Sequence, residues 1–283
     1  MSLSQLATQS ARAAARLRAD CRVGPADAVC PFDLAERLGL LVHLVPVPSM
    51  EGMYAPVPRP TILVSAERPP GRRRYTCGHE IGHHVFGHGT RLDELADDAS
   101  TSWSPEEFVA HRFASGLLMP KLAVESAFAR RGLSVSAPRA EDVLVVAQDL
   151  GVGYATLVGH LERTLGCVSS AAADTLRKSS LPRLRSLLAG FKIDHDLVVA
   201  DEHWGRRPID IEVGDVVLVP RSAEFEGDCA IRDLNPASHL RATAPGVGKV
   251  VFSAGPPIAI RVSRREFAGL ARYRHVEEAA DDR

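Results

Sequence analysis

The feature that most constrains this chain is the segment Thr76 to His84, which contains the pattern His-Glu-x-x-His. Residues four apart on an α-helix lie on the same face, so His79 and His83 can direct ring nitrogens at one point. Glu80 follows the first histidine and is close enough to accept a proton from a water molecule held there. On a helix this pattern is typical of zinc hydrolases. An ordinary amphipathic helix can also carry it by chance, so a second motif is needed.

That second motif supplies a third ligand, because a catalytic zinc ion needs three protein ligands and a fourth position for water. Residues 104–120 read Ser-Pro-Glu-Glu-Phe-Val-Ala-His-Arg-Phe-Ala-Ser-Gly-Leu-Leu-Met-Pro. Ser before Pro predicts a helix start, and the last Pro predicts its end. Glu107 is the candidate ligand and Glu106 is the alternative. His111 lies one turn after Glu107, over the same face.

Together the two motifs resemble the signature of the ImmA/IrrE family of metallopeptidases. That signature is Phe-Thr-x-x-His-Glu-x-Gly-His, followed by a Glu-containing helix that ends Phe-Ala-x-x-Leu-Leu-Met-Pro. The resemblance spans roughly residues 30–160. It implies a zincin-like, mostly helical metallopeptidase domain with a small sheet. It also implies that His79, His83 and Glu107 bind Zn²⁺ and that Glu80 is the general base.

The chain departs from the family signature at a few positions near the motif. Tyr75 stands where Phe is usual, Cys77-Gly78 replace a small apolar pair, and His111 takes the place of a frequent Asn. Cys77 is interpreted either as a packed small side chain or as a thiolate that blocks the zinc ion. The candidates for stabilising an oxyanion are Tyr54, His88 and His111.

A second pair of histidines, His84 and His88, also has the i, i+4 spacing, but no acid lies between them. They lie about 100° round the helix from His79 and His83. We interpret them as solvent or loop contacts rather than as a second metal site.

The family resemblance implies a function as well. By analogy, the substrate is a helix-turn-helix transcriptional repressor cut at one site in a stress, DNA-damage or phage-related response. The candidate partners also include a nucleic-acid signal that acts on this protein directly or through another molecule. The alternative is a regulator that binds a repressor or nucleic acid without cleaving it, and the presence of Glu80 argues against this, since a pure binder has no use for the base.

Composition and charge give no support for a membrane protein or for a protein with a general attraction to nucleic acid. The chain has 283 residues and a formal net charge of -1, which gives no global attraction to nucleic acid or anionic membranes. Its 5 cysteines lack Cys-x-x-Cys spacing, as in proteins of a reducing compartment. No apolar run approaches the roughly 18 residues of a membrane span. We therefore expect a cytoplasmic protein with no membrane partner.

The first part of the chain predicts one helix, a second short helix and a small sheet. Residues 1–19 lack acids and contain three arginines, which is typical of a transit peptide, but they also fit an amphipathic docked helix, which we favour. Residues 30–39 predict the short helix, and 40–45, 53–57 and 61–64 predict strands. The edge of such a sheet can accept an extended peptide.

Residues 140–165 have the rhythm of a helix-turn-helix, with Gly151 to Gly153 as the turn. The second helix begins with Tyr154, Ala155 and Thr156 instead of the Arg, Lys, Asn or Gln that read DNA bases. We therefore predict a packing element that closes a metallopeptidase domain of residues 1–166.

Small residues over 167–173 predict a boundary between two domains. Residues 174–280 then predict a smaller α+β regulatory or sensor domain, which the resemblance suggests is GAF-like. Its elements are a basic helix over 176–189 with Pro182 as a candidate break, an antiparallel sheet of short strands and a final helix over 264–278. The strands are expected over residues 197–200, 209–212, 215–219, 230–233, 249–252 and 258–262. The predicted fold class of the whole chain is α+β.

Overall fold

The computed structural model describes residues 2–94, 104–235 and 237–276, with the backbone alone for residues 91–94. Its fold combines helices with three small sheets, which agrees with the predicted α+β class. The helices are α1 (Leu3–Asp20), α2 (Pro31–Arg37), α3 (Pro70–Phe86), α4 (Pro105–Leu118), α5 (Lys121–Ala129), α6 (Ala140–Leu150), α7 (Tyr154–Arg163), α8 (Ser170–Arg177) and α9 (Leu181–Ala189). The strands are β1 (Leu41–Val45), β2 (Met50–Ala55), β3 (Thr61–Ser65), β4 (Arg91–Glu94), β5 (Leu197–Val199), β6 (Ile209–Glu212), β7 (Val216–Leu218), β8 (Glu224–Glu226), β9 (Ala230–Asp233), β10 (His239–Ala242), β11 (Gly246–Val251), β12 (Ile258–Ser263) and β13 (Gly269–Leu270).

The first sheet supports the helix that carries the histidine motif. Within the described residues its strand order is β13-β1-β3-β2-β4. β1 and β3 are parallel, whereas β2 pairs antiparallel with both β3 and β4. α3 packs on β2 and β3. The predicted strands match β1 and β3 to within one residue, and β2 begins three residues earlier than predicted.

Helices α3 and α4 approach closely because glycines on α3 remove side chains from their contact. A Cβ on Gly78 would lie 3.2 Å from Leu118 Cδ1, and one on Gly82 would lie 3.1 Å from Ala110 Cα. The predicted start of α4 is confirmed, since the Ser104 hydroxyl accepts a hydrogen bond from the backbone N–H of Glu107 at 3.2 Å. This cap and the close helix contact fix the position of Glu107 relative to α3.

Helix α1 packs against α4, as the docked-helix interpretation of the first residues predicted. Ala14 and Leu17 are buried in the same core as α4. A Cβ on Gly116 would lie 3.2 Å from Ala14 Cβ, so this helix pair also meets through small residues.

Helices α6 and α7 correspond to the two helices predicted within residues 140–165. The exit from α6 is at Gly151, whose φ of 76° lies in the left-handed region that favours glycine. Tyr154, Leu157 and Leu161 of α7 are buried in the main core. The helix pair is therefore present, while its assignment as a helix-turn-helix stays a prediction.

Among the described residues, no single helix has both the length and the hydropathy to cross a membrane. Helices α6 and α7 pass that test only as a pair, with a bend of 102° between them.

The segment predicted to link two domains is partly helical. α8 begins at Ser170, and its residues Ala173 and Leu176 are buried in the core of the first part of the chain. The basic helix predicted over 176–189 is divided between two helices, α8 and α9, and the gap at residues 178–180 lies just before the candidate break at Pro182. The limits 1–166 and 174–280 stay predictions.

Two further sheets follow α9. In the described part of the chain their strand orders are β5-β7-β10-β9 and β6-β12-β11-β8, and buried side chains from both form a second hydrophobic cluster. The predicted antiparallel arrangement is wrong in part, because β5 pairs parallel with β7 and β6 pairs parallel with β12. Strands β8 and β10 were not predicted. The likeness to GAF domains stays a prediction.

The final helix predicted over 264–278 is wrong for its described part, residues 264–276. The chain there forms β13, which pairs antiparallel with β1, and then a 3₁₀ turn over Ala271–Tyr273. Phe267 and Ala271 are buried in the core of the first part of the chain, as their apolar character suggested. Strand pairing with β1 replaces the helical hydrogen bonds, so the tertiary contact determines the conformation of this segment.

Candidate metal centre

Helix α3 presents the two motif histidines from its buried face. His79 is 2% exposed and His83 is 0% exposed. Their Nε2 atoms lie 3.0 Å apart, because residues one helical turn apart share a face. The sequence prediction that both rings converge on one point therefore agrees with the structure.

Glu107 lies opposite these rings on α4. One carboxylate oxygen is 3.1 Å from His79 Nε2, and the other is 3.4 Å from His83 Nε2. These contacts favour Glu107 over Glu106 as the acid of the group. Hydrogen bonds from His79, then from His83, hold the pKa of Glu107 well below its usual range, so the side chain is a carboxylate.

The residues present fit a small divalent cation. Two imidazole nitrogens and one carboxylate oxygen are donors that zinc prefers. Zinc bonds of about 2.0–2.1 Å in a tetrahedral arrangement separate neighbouring ligand atoms by roughly 3.3–3.4 Å. The two Nε2 atoms are 3.0 Å apart, one Glu107 oxygen is 3.1 Å from His79 Nε2, and the other oxygen is 3.4 Å from His83 Nε2. The donor atoms are therefore already near the spacing that such a cation imposes.

Glu80 lies beside this group, with its carboxylate against strand β2. The side chain is 0% exposed. Gly52 on β2 makes room for it, because a Cβ there would lie 2.6 Å from Glu80 Oε1 and 2.4 Å from Thr76 Cγ2. The carboxylate of Glu80, the residue after His79, is thus enclosed between α3 and β2.

Residues 35–161 match the family model Peptidase_M78, described as the IrrE N-terminal-like domain. This segment is a Peptidase_M78 domain. The match confirms the resemblance to the ImmA/IrrE family and indicates a metallopeptidase of the IrrE type. No curated protein sequence matches the chain.

The M78 domain holds a further histidine in the candidate metal centre, His111, which the sequence suggested only as an oxyanion candidate. A ring nitrogen of His111, a ring nitrogen of His79 and a carboxylate oxygen of Glu107 all lie within 4.8 Å of one another and could hold a metal ion. The available signal was its spacing of four residues from Glu107 on the same helix.

The interpretation of His88 as a solvent or loop contact is wrong. His88 Nδ1 lies 2.8 Å from His83 Nδ1. The chain turns back here because Gly87 ends α3 with a φ of 67°. A partner on the second ring nitrogen orients a metal-binding histidine, and this is the position that His88 occupies.

The Tyr54 hydroxyl lies 2.8 Å from Nδ1 of His84, one turn after Glu80 on α3. Tyr54 is buried on β2, and this contact joins the strand to the helix. Both side chains therefore help to hold β2 against the face of α3 that carries Glu80.

Cys77 of the M78 domain is fully buried in the main core. Burial raises the pKa of its thiol well above the ordinary value, so the side chain is a neutral thiol. This environment favours the packed interpretation over a thiolate that reaches the zinc ion.

Proposed function

We propose that this protein is a zinc-dependent endopeptidase of the IrrE type. The observation that carries the proposal is the convergence of His79, His83 and Glu107 beside the buried carboxylate of Glu80 within a Peptidase_M78 domain. A metal-dependent hydrolase needs three protein donors and a nearby base, and these four residues fill both requirements.

Each residue has a distinct role in this proposal. His79, His83 and Glu107 would hold the zinc ion, and His88 would orient the His83 ring through its second nitrogen. When bound, zinc supplies a Lewis acid and lowers the pKa of a coordinated water to about 7. Glu80 accepts the proton of the attacking water and transfers it to the leaving amine.

Peptide presentation is expected at strand β4. Within the described residues the outer strands of the first sheet are the two-residue β13, which pairs with β1, and β4 at the opposite edge. β4 pairs with β2, the strand whose Gly52 lies against Glu80. An extended substrate that adds to β4 by main-chain hydrogen bonds would therefore lie on the side of the sheet nearest the base.

We propose a helix-turn-helix transcriptional repressor as the substrate, cleaved in the cytoplasm during a stress, DNA-damage or phage-related response. The family resemblance alone supports this substrate and setting. The region after α9 would be the regulatory part, with ion pairs such as Arg73 to Glu212 linking it to α3.

The alternative, a non-cleaving regulator that binds a repressor or nucleic acid, is the weaker proposal. Glu80 would have no role in it. Leu157, Val158 and Leu161 of α7 are fully buried, which leaves little of that helix for reading DNA. A gel shift at low salt with purified protein tests the nucleic-acid version, and a salt-sensitive shift would support it.

The deciding experiment pairs zinc analysis with cleavage of a candidate repressor encoded beside this protein. Glu80→Gln keeps the size of the side chain and removes the base. We expect it to bind about one zinc ion per chain, as the parent does, and to cleave about 10²–10⁴-fold more slowly. Glu106→Gln is the matched control and should retain parent activity. Equal cleavage by the parent and Glu80→Gln would end the peptidase proposal.

A further inference from the structure

His111 belongs to the same cluster as the three proposed ligands. Its ring centroid lies 4.4 Å from that of His79. His79 and Glu107 are shared between two overlapping donor groups, one completed by His83 and the other by His111. Four side chains therefore supply donors to these two overlapping groups, one more than a catalytic zinc ion needs.

Tyr75 contacts the Nδ1 side of the His111 ring. The Tyr75 hydroxyl lies 3.5 Å from His111 Nδ1, 3.3 Å from the His111 carbonyl oxygen and 3.1 Å from Ser115 Oγ. Because the hydroxyl hydrogen can be donated to the carbonyl or to Ser115, the hydroxyl oxygen can accept N–H from Nδ1. That arrangement leaves Nε2 of His111 without a proton, the form in which imidazole binds a metal.

We propose that His111 is a fourth protein ligand, so that the resting metal centre is closed to water. This inference rests on the proposed function, because it assumes that His79, His83 and Glu107 hold the ion. Zinc with four protein ligands is typical of structural sites, whereas catalytic sites keep one position open. Peptide hydrolysis would then require the His111 nitrogen to leave and a water molecule to take its position.

Burial identifies His111 as the imidazole that can leave. His79 and His83 are 2% and 0% exposed, whereas His111 is partly exposed. A partly exposed ring can rotate about its side-chain bonds without moving the helix. Glu107 and His111 are on one helix, so the carboxylate can keep its contacts while the ring withdraws. The closed state is thus a reversible form of the same site.

The test replaces zinc by Co²⁺ in the full-length protein. Visible absorption of Co²⁺ reports its coordination, and azide is a small anion that binds an open position. We expect azide in large excess to leave the parent spectrum unchanged and to shift the visible band of His111→Asn. His84→Asn is the matched control, since it removes a neighbouring imidazole on α3 that contacts Tyr54, and it should behave as the parent does.

The parent measurement decides the matter without any variant. A parent that binds one equivalent of Co²⁺ and responds to azide has an open position, which overturns the role of His111 and leaves the proposed peptidase standing. A parent that binds no Co²⁺ or Zn²⁺ overturns both proposals. Insensitivity of His111→Asn to azide, with one Co²⁺ bound, would also contradict the assignment.

Discussion

Helix α3 contacts carboxylates of other segments in two regions, and the partners of these carboxylates differ between the regions. In its middle, His79 and His83 surround the carboxylate of Glu107. Near its first turn, Arg73 pairs with Glu212, and Arg74 donates to the main-chain oxygen of Asp210 at 3.3 Å. The first region is the candidate metal centre. We call the second region the arginine junction, which comprises Asp33, Arg73, Arg74, Asp210, Glu212, Arg261 and Arg274.

In the arginine junction, guanidinium groups complement the carboxylates. Arg261 makes two hydrogen bonds to Asp210, at 2.6 and 2.9 Å, and also contacts Asp33 at 2.9 Å. Arg274 approaches Asp210 at 3.5 Å. Burial alone would raise the pKa of the Asp210 carboxyl, but Arg274 and Arg261 outweigh it and hold that pKa well below its usual range.

The two regions differ in the side chains that surround their carboxylates, which are arginines at Asp210 and histidines at Glu107. Guanidinium groups are always charged and bind carboxylate oxygens in pairs, so they fix Asp210 permanently. Imidazoles are neutral donors or acceptors that also suit a metal ion, so Glu107 can exchange its hydrogen bonds for coordination. Removing each carboxylate should therefore affect different properties of the protein.

The largest expected effect on stability comes from Asp210→Asn. Removing one member of a buried ion pair leaves the arginines uncompensated and should lower the free energy of unfolding by about 3–5 kcal/mol. Zinc stoichiometry in the folded protein should stay the same, because the metal centre does not use this residue. Urea unfolding and metal analysis measure both quantities. The exposed Asp233→Asn is the control and should leave the free energy of unfolding unchanged. Equal losses in the two variants would contradict a special role for the junction.

A smaller effect is expected from Gly82→Ala, which acts on the metal centre through packing. The new Cβ would lie 3.1 Å from Ala110 Cα and from Phe113 Cδ1, so α4 must shift. Overpacking of this kind costs about 1–3 kcal/mol. Moving Glu107 away from the histidines should also weaken zinc binding by about 10-fold. Chelator competition measures that affinity.

Gly89→Ala is the matched control for this substitution, since nothing lies within 4 Å of the added Cβ. It should change neither stability nor zinc affinity. A Gly82→Ala protein with parent affinity for zinc would show that the glycine contact does not position Glu107.

A smaller effect still is expected from pH on the stability that Asp210 contributes to the arginine junction. The folded-state pKa of Asp210 lies below its unfolded value of about 3.9, so its contribution to stability is complete above about pH 5. It declines as the pH falls through the unfolded pKa towards the folded one. The difference in unfolding free energy between the parent and Asp210→Asn should therefore be about 1 kcal/mol smaller at pH 3 than at pH 7. A difference that grows on acidification would give the wrong sign.

The sequence was sufficient for the parts of the site that depend on local spacing. The i, i+4 histidines and the Ser104 cap are each encoded within one or two helical turns, and the structure agrees with them. Glu107 was predicted as the third ligand because the second motif accompanies the first in a known family, and its carboxylate contacts both histidines. Local periodicity and one family signature thus accounted for the proposed ligands.

The parts that could not be predicted depend on contacts between distant segments. Residues 264–276 were assigned to a helix, but Leu270 pairs with His43 at the edge of the first sheet. His88 contacts His83 only because the chain reverses at Gly87. The role of His111 depends on how closely α4 approaches α3, which the glycines allow but the helical pattern alone does not specify.

The smallest expected effect is that of Cys77→Ala, a substitution in the core next to the candidate metal centre. Cys77 is two residues before His79 but is fully buried among apolar side chains, where burial keeps its thiol protonated. Cys77→Ala should therefore lower the unfolding free energy by about 1 kcal/mol or less, because a buried thiol behaves as a small apolar group. Zinc content and peptidase rate should match the parent under both reducing and oxidising conditions. A variant whose zinc content no longer responds to reductant, when that of the parent does, would restore the thiol-switch interpretation. The expected result would show that Cys77 contributes to the packing of α3. The proposed zinc donors would then be imidazole and carboxylate groups alone, and zinc binding would not depend on the redox conditions.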